Sequence, residues 1–266
     1  MRRAHRFSIL LLILLASLLP CRSHCACTPP PADLVAWWQG EGNADDILGT
    51  YNGTPANGVA YAPGYVGRAF SFDGVDDYVV IANGIVPSTA RYFTLDAWVF
   101  PESFPEGVDE TRMILYGGST GGEYELLVAG SSFRFGVKLT DGQWYTVTSP
   151  AALQAWTHVA ATRRGTDIEL WVNGALKAGT AVPDLDLNDA DNGMNNSRIG
   201  AYNEFTNSYK SFWHGLVDEL DIFSRALEGE EITAIYNAGG SGKCSGPAPS
   251  YPWIMFNPVL TANGEK

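Results

Sequence analysis

In the stretch GLVDELDIFSRAL, residues 215–227, Glu219 and Asp221 stand two apart inside an apolar frame. Hydrolysis of a glycosidic bond needs two carboxyl groups, about 5–5.5 Å apart for retention and roughly 6.5–9.5 Å apart for inversion. Glu-x-Asp followed by a third acid on one strand supplies such a set. Here position 223 is Phe and position 224 is Ser, so the second glutamate is missing at both spacings. The stretch reads as a strand with Val217, Glu219 and Asp221 on one face and Leu220 and Ile222 on the other.

Other nucleophile and phosphate signatures fail on context. Residues 117–121 match G-x-S-x-G, but that motif needs a sharp turn from strand into helix, and the strand-like run EYELLVAG follows. GGSGKC lacks the first glycine of a phosphate loop and carries Cys244 where Ser or Thr would bind magnesium. His158 and His214 sit beside tryptophans in strand-like settings and read as packed or half-exposed residues. The chain is expected not to be an enzyme.

The acids offer different chemistry. Glu41, Asn43, Asp45 and Asp46 lie in GEGNADD, Asp73, Asp76 and Asp77 in FDGVDD, and Asp218 opens the final strand. Calcium takes six to eight oxygens from carboxylates, amides and carbonyls. These acids fit a Ca2+ site and fit turn formation equally well.

These residues must be positioned by short strands. From Val35 to Ile222, β-rich runs alternate with Gly, Asn and Asp punctuation, which favours an antiparallel sandwich. Asp141-Gly142 and Asn173-Gly174 each separate two strand-like runs and fit two-residue turns. Phe93, Leu95, Ala97 and Val99 share one side of a strand, as do Ile168, Leu170 and Val172 of another. Trp98 and Trp171 fall opposite, so these strands are expected to be covered on both faces. EGEEITAIYNAGG predicts one short helix with an Ile232, Ile235 and Tyr236 stripe and Gly239 as cap.

The 266 residues, 45 % apolar and 12 % aromatic, suffice for a sizeable core. Arg2, Arg3 and Arg6 precede the apolar run Phe7 to Leu19, too short to span a bilayer, so residues 1–26 read as a secretory signal. Cleavage after Ala26 removes four of the 17 basic residues and no acid, leaving 13 against 29 and a formal charge of −16. That surface repels phosphate backbones, so nucleic acid is not an expected partner, and no later run reaches the length of a membrane span. Cys27 and Cys244 are the cysteines that remain, and two thiols in an exported domain suggest one disulfide. Residues 28–31 (TPPP) and the tail 245–266 read as linkers around a domain at 27–244.

Five pieces in order, LVAWWQGEGNADD, GYVGRAFSFDGVDDYVVI, FTLDAWVFP, WTHVAATRRGTDIELWVNG and GLVDELDIFSRALEGEEITAIYNAG, resemble the laminin G-like jelly-roll domains of secreted bacterial proteins. These belong to the concanavalin A-like lectin and glucanase group, and the match spans about residues 33 to 240. The resemblance implies an all-β, two-sheet antiparallel jelly roll with one short helix after the last strand. It also implies a structural Ca2+ near the loops, where a jelly roll of this type would bring Asp45 and Asp46 toward Asp73 and Asp218 as its ligands, and Asp218 and Glu219 as parts of the structure without a hydrolytic partner. First and last strands lie side by side in such a sandwich, which would bring Cys27 to Cys244. The fold hosts lectins, protein-binding modules and enzymes alike. The expected function is a non-catalytic recognition module, secreted or at a cell surface, that binds a glycan or an extracellular protein. Tyr116, Trp144, Tyr145 and Trp213 are candidates to stack on sugar rings. A purely structural assembly domain is the alternative, and a polysaccharide-active enzyme the next.

Overall fold

A computed structural model describes residues 27–81, 84–107, 110–118, 123–189, 197–204 and 208–245. Residues 1–26, read above as a secretory signal, the tail beyond Ser245 and the serine of the G-x-S-x-G match lie outside the described residues.

Seventeen strands run through them. The first five are β1 (Leu34–Trp38), β2 (Thr54–Ala56), β3 (Ala60–Pro63), β4 (Arg68–Asp73) and β5 (Tyr78–Ile81). Next come β6 (Tyr92–Pro101), β7 (Thr111–Gly117), β8 (Tyr124–Ala129), β9 (Ser132–Lys138) and β10 (Trp144–Pro150). There follow β11 (Thr157–Arg164), β12 (Asp167–Val172), β13 (Ala175–Ala181) and β14 (Ser197–Ile199). The last are β15 (Tyr202–Glu204), β16 (Ser208–Lys210) and β17 (His214–Phe223), before helix α1 (Gly229–Ala238).

Fifteen of them form two large antiparallel sheets, and β15 pairs with β16 separately. One has the order β13-β12-β11-β6-β17-β4-β3, with β1 beside the second half of β17; the other runs β10-β9-β8-β7-β14-β5-β2. The inner faces meet in one core, where Phe93, Leu95, Ala97 and Val99 of β6 join Ile168, Leu170 and Val172 of β12 and Phe133, Phe135 and Val137 of β9. Alternation alone produces these faces, since successive side chains point to opposite sides of a strand.

Both faces of the first sheet are covered, as the tryptophans suggest. Trp98 is buried under Tyr65, with ring centroids 3.6 Å apart, and under Tyr236 of α1. Ile232 and Ile235 of α1 pack with Ala160, Phe223 and Leu227, and Trp171 lies against them. The helix begins where the Glu228 N–H donates to the Glu231 carboxylate, and Arg225 grips the same carboxylate with two bonds of 2.6 Å. It ends at Gly239, whose φ is 56°.

Three local expectations need correction. In β17 the pairing with β6 slips between Asp218 and Asp221, and Glu219 takes a positive φ of 53°. That bulge turns Val217 inward with Leu220 and Ile222 and sends Asp218 and Asp221 outward, so Val217 does not share a face with Asp221. Asn173 and Gly174, both at positive φ, do form a two-residue turn between Val172 and Ala175. Asp141-Gly142 instead belongs to a three-residue loop, because the Leu139 N–H reaches the Gln143 carbonyl and the Asp141 carboxylate accepts from Gln143 N–H and Tyr145 Oη. Thr28, in the TPPP stretch, is no linker: it bridges Lys243 and bonds Gly242 and Cys244 through its backbone.

That bridge places Cys27 against Cys244, and the two form a disulfide across 217 residues of sequence. Closing so long a loop restricts the unfolded chain strongly. Cys27→Ser is expected to lower unfolding free energy by about 2–5 kcal/mol in denaturant titration and to leave one alkylatable thiol.

Candidate functional site

Among the described residues, the outer face of the second sheet is covered near Met113, Tyr116 and Leu127 and open toward β9 and β10. Across β8, β9 and β10, Glu125, Gly136 and Thr146 stand in one row, and Leu127, Arg134 and Thr148 in the next. Lys138 pairs with Trp144 in the row beyond. These are the alternate residues to those that fill the core. A groove of about 760 Å3 runs over them, lined among others by Arg112, Glu125, Arg134, Trp144, Tyr202 and Lys210.

Its chemistry is mixed. Trp144 is 39 % exposed and lines the groove. Tyr202 stands edge-on to the buried Tyr116, with centroids 4.8 Å apart. Arg134 holds Glu125 through Nε and Nη2, both at 3.0 Å. Burial raises the Glu125 carboxyl, and Arg134 opposes the rise. Gly136 keeps the floor low, since a Cβ there would meet Glu125 and Thr146 at 3.1 Å. An exposed ring beside a charged, fixed hydrogen-bonding pair suits a ligand with both apolar faces and hydroxyls.

Of the four aromatic candidates, only Trp144 takes part. Tyr116 is buried and donates to Glu123, Trp213 sits in the core with its Nε1 on the Leu216 carbonyl, and Tyr145 packs against the core. Glu125, Arg134 and Tyr202 escaped the sequence reading. Their outward alternation is legible, but which strands lie side by side is not.

The four acids proposed for calcium do not gather. Asp45 is exposed. Asp46 is buried and spends both oxygens on the backbone N–H groups of Trp37, Leu48, Thr50 and Tyr51, which tie the loop after β1. Asp73 lies at the end of β4, opposite His214. Asp218 is fully buried and accepts from Val66 N–H at 2.8 Å. Among the described residues, the group with oxygens close enough to share a cation is Asp73, Asp76 and Asp77, all within 4.8 Å of one another. Burial raises the Asp77 carboxyl, with the Asp73 N–H opposing and the charges of Asp73 and Asp76 adding to the rise.

Glu219 and Asp221, the pair with glycosidase spacing, face no groove. Their side chains are 1 % and 0 % exposed, and both touch Lys243 Nζ at 3.0 Å. The nearby Asp96 touches His158 Nε2 at 2.9 Å, also without exposure.

A family model described as the concanavalin A-like lectin/glucanases superfamily, Laminin_G_3, matches residues 73–233. The chain belongs to that family. No curated protein matches it. Among solved structures, domain 4 of AbnA, a GH43 extracellular arabinanase from Geobacillus stearothermophilus, seen in complex with arabinotriose, is 21 % identical with a TM-score of 0.58. The match covers 76 % of this chain and 97 % of that one. The binding domain of botulinum neurotoxin serotype G is 13 % identical with a TM-score of 0.60, covering 76 % of this chain and 50 % of that one. The binding domain of Paraclostridial Mosquitocidal Protein 1 is 15 % identical with a TM-score of 0.61, covering 77 % and 52 %. The chain thus spans about half of the two toxin domains. At these identities the likeness is one of fold.

The buried acids make a pH prediction. Burial pushes the Asp218 carboxyl up to about 8; the Val66 N–H opposes the rise and Glu219 adds to it. The folded chain therefore keeps a proton that the unfolded chain, with an ordinary carboxyl near ~4, releases. Stability falls as pH rises from about 4 to about 8, with a slope of up to about 1.4 kcal/mol per unit. Asp218→Asn, whose amide oxygen still accepts from Val66, is expected to flatten that slope in denaturant titrations at several pH values.

Proposed function

We propose that the protein is a non-catalytic recognition module, acting outside the cell, that binds a glycan in the groove over β8, β9 and β10. The observation that carries this reading is the exposed Trp144 beside the fixed Arg134–Glu125 pair in an open groove. Sugar rings present C–H faces to an indole and hydroxyls to planar charged groups. The neighbouring arabinanase domain holds an arabinotriose on the same fold, which makes oligosaccharides the first class to try. The disulfide suits an oxidising compartment, and among the described residues no helix is long and apolar enough to cross a membrane. Glu219 and Asp221 are sealed from substrate by Lys243, which supports the absence of hydrolysis at that strand.

Titration calorimetry against arabino-, xylo-, manno- and gluco-oligosaccharides tests the proposal. A ligand should emerge whose binding Trp144→Ala weakens at least about tenfold, roughly 1.4 kcal/mol, with Arg134→Ala acting in the same direction. Silence across a broad glycan panel would turn the reading toward a structural assembly domain. Release of reducing ends by the wild type, lost in Glu125→Gln, would make it an enzyme.

A structural Ca2+ belongs to the same proposal, held by Asp73, Asp76 and Asp77 rather than by Asp45, Asp46 and Asp218. Three converging carboxylates in an acidic chain repel one another, and a hard divalent cation relieves that. At free calcium about a hundred times its Kd the fold gains about 2.7 kcal/mol. Melting in millimolar calcium should exceed melting in chelator by several degrees, and Asp77→Asn should shrink the gap. Equal melting in both would leave the three acids as turn formers.

A further inference from the structure

The densest chemistry away from the groove lies on the outer face of β17. Lys243 Nζ stands 3.0 Å from Glu219 Oε2 and 3.0 Å from Asp221 Oδ2, and no side chain of the three is more than 1 % exposed. The Trp37 ring covers the amine, its centroid 4.8 Å away. The neighbouring disulfide and the Thr28 bridge pin the segment that carries Lys243.

The two contacts differ in kind. Lys243 donates an aligned hydrogen bond to Glu219. Neither oxygen of Asp221 has an aligned hydrogen bond, although one touches Nζ, and Glu219 Oε1 also lacks one. A buried carboxyl is thus held in contact with an amine at 3.0 Å, paired with it by charge while the aligned hydrogen bond goes to Glu219. The second carboxyl, bonded to the same amine, is placed to carry protons between them. Nucleophile, electrophile and proton carrier converge in a site that excludes water.

We propose that Lys243 and Asp221 are joined by an intramolecular isopeptide bond, formed by the chain itself with Glu219 as the proton carrier. The reactants are the Lys243 ammonium and the Asp221 carboxylate. A proton passes from Nζ through Glu219 to Asp221, leaving a neutral amine and a neutral acid. Nζ then attacks Cγ and the C–N bond forms. Glu219 takes a second proton from nitrogen and delivers it to the departing hydroxyl, the C–O bond breaks, and one water leaves. Ammonium plus carboxylate becomes amide plus water, with no oxidant or reductant.

Physical chemistry favours the step. Burial raises the Asp221 carboxyl well above its usual range, toward the neutral acid that is attacked; Lys243 pulls it back and Asp96 adds to the rise. Burial pulls the Lys243 ammonium down, but Asp221, Glu219 and Asp96 outweigh it, so the amine must lose its proton within the cluster, where Glu219 sits. Reacting groups held at contact gain the high effective concentration of an intramolecular reaction. Condensation removes one positive and one negative charge from the interior, where each is costly.

The test is a mass measurement on the folded protein, subsequently denatured and reduced. The expected mass lies one water below that of the reduced chain from its determined N-terminus. Proteolysis should yield a branched peptide joining the Asp221 segment to the Lys243 segment. Asp221→Ala and Lys243→Met should restore the full mass. Glu219→Gln should also carry the full mass while keeping wild-type circular dichroism, which loss of a merely structural contact would not do. A folded wild type with full mass and a linear peptide containing unmodified Lys243 would overturn the proposal, whatever the variants do, and leave a buried ion pair only.

Discussion

The contact of Lys243 with Glu219 and Asp221 is the one on which the middle of the first sheet depends. β17 is bordered by β6 on one side and by β4 and β1 in succession on the other, so it cannot move without them. Its outer face carries Asp218, Glu219 and Asp221, with Asp96 opposite on β6, all of them buried. Removing the partner of a buried charge typically costs about 3–5 kcal/mol, because the charge left behind has no compensation. Lys243 supplies the compensation from the end of the domain, which explains why residues 239–244 return to the sheet.

That requirement shapes what surrounds it. The Thr28 bridge and the disulfide hold the returning segment, and the Lys243 amine stands over the Trp37 ring, 4.8 Å from its centroid. The positive φ of Glu219 costs about 1 kcal/mol for a residue with a side chain. The bulge is nonetheless maintained: it sets Glu219 and Asp221 against Lys243 and Asp218 against the Val66 N–H while Val217, Leu220 and Ile222 continue to fill the core. Helix α1 and the stack of Tyr65, Trp98 and Tyr236 then seal this face.

The two sheets divide the labour. With one outer face closed over charge, the other stays open toward β9 and β10, and its outward residues form a groove there instead of a second core. Trp144, Arg134 and Glu125 are held there by a ladder whose opposite side is densely packed, so the groove rests on a rigid floor.

Much of the fold was legible in the residues. Alternation in FTLDAWVFP and DIELWV, the Asn173-Gly174 turn and the Ile232–Ile235 stripe are local, period-2 or period-3.6 properties, and each stands as read. Cys27 and Cys244, read as the cysteines left in an expected exported chain, were enough to suggest the bond that the structure contains. The bulge at Glu219 was not legible, since it is set by a cation 24 residues further on. Nor was it legible that Asp76 and Asp77, and not Asp45, Asp46 and Asp218, lie close beside Asp73, because backbone N–H groups hold Asp46 and Asp218 elsewhere. The groove needed the register of three strands, and register depends on pairings between distant segments. Sequence by itself determined which way side chains face along a strand; only tertiary structure decided which of them meet, because charge and hydrogen-bond partners are chosen across the sheet.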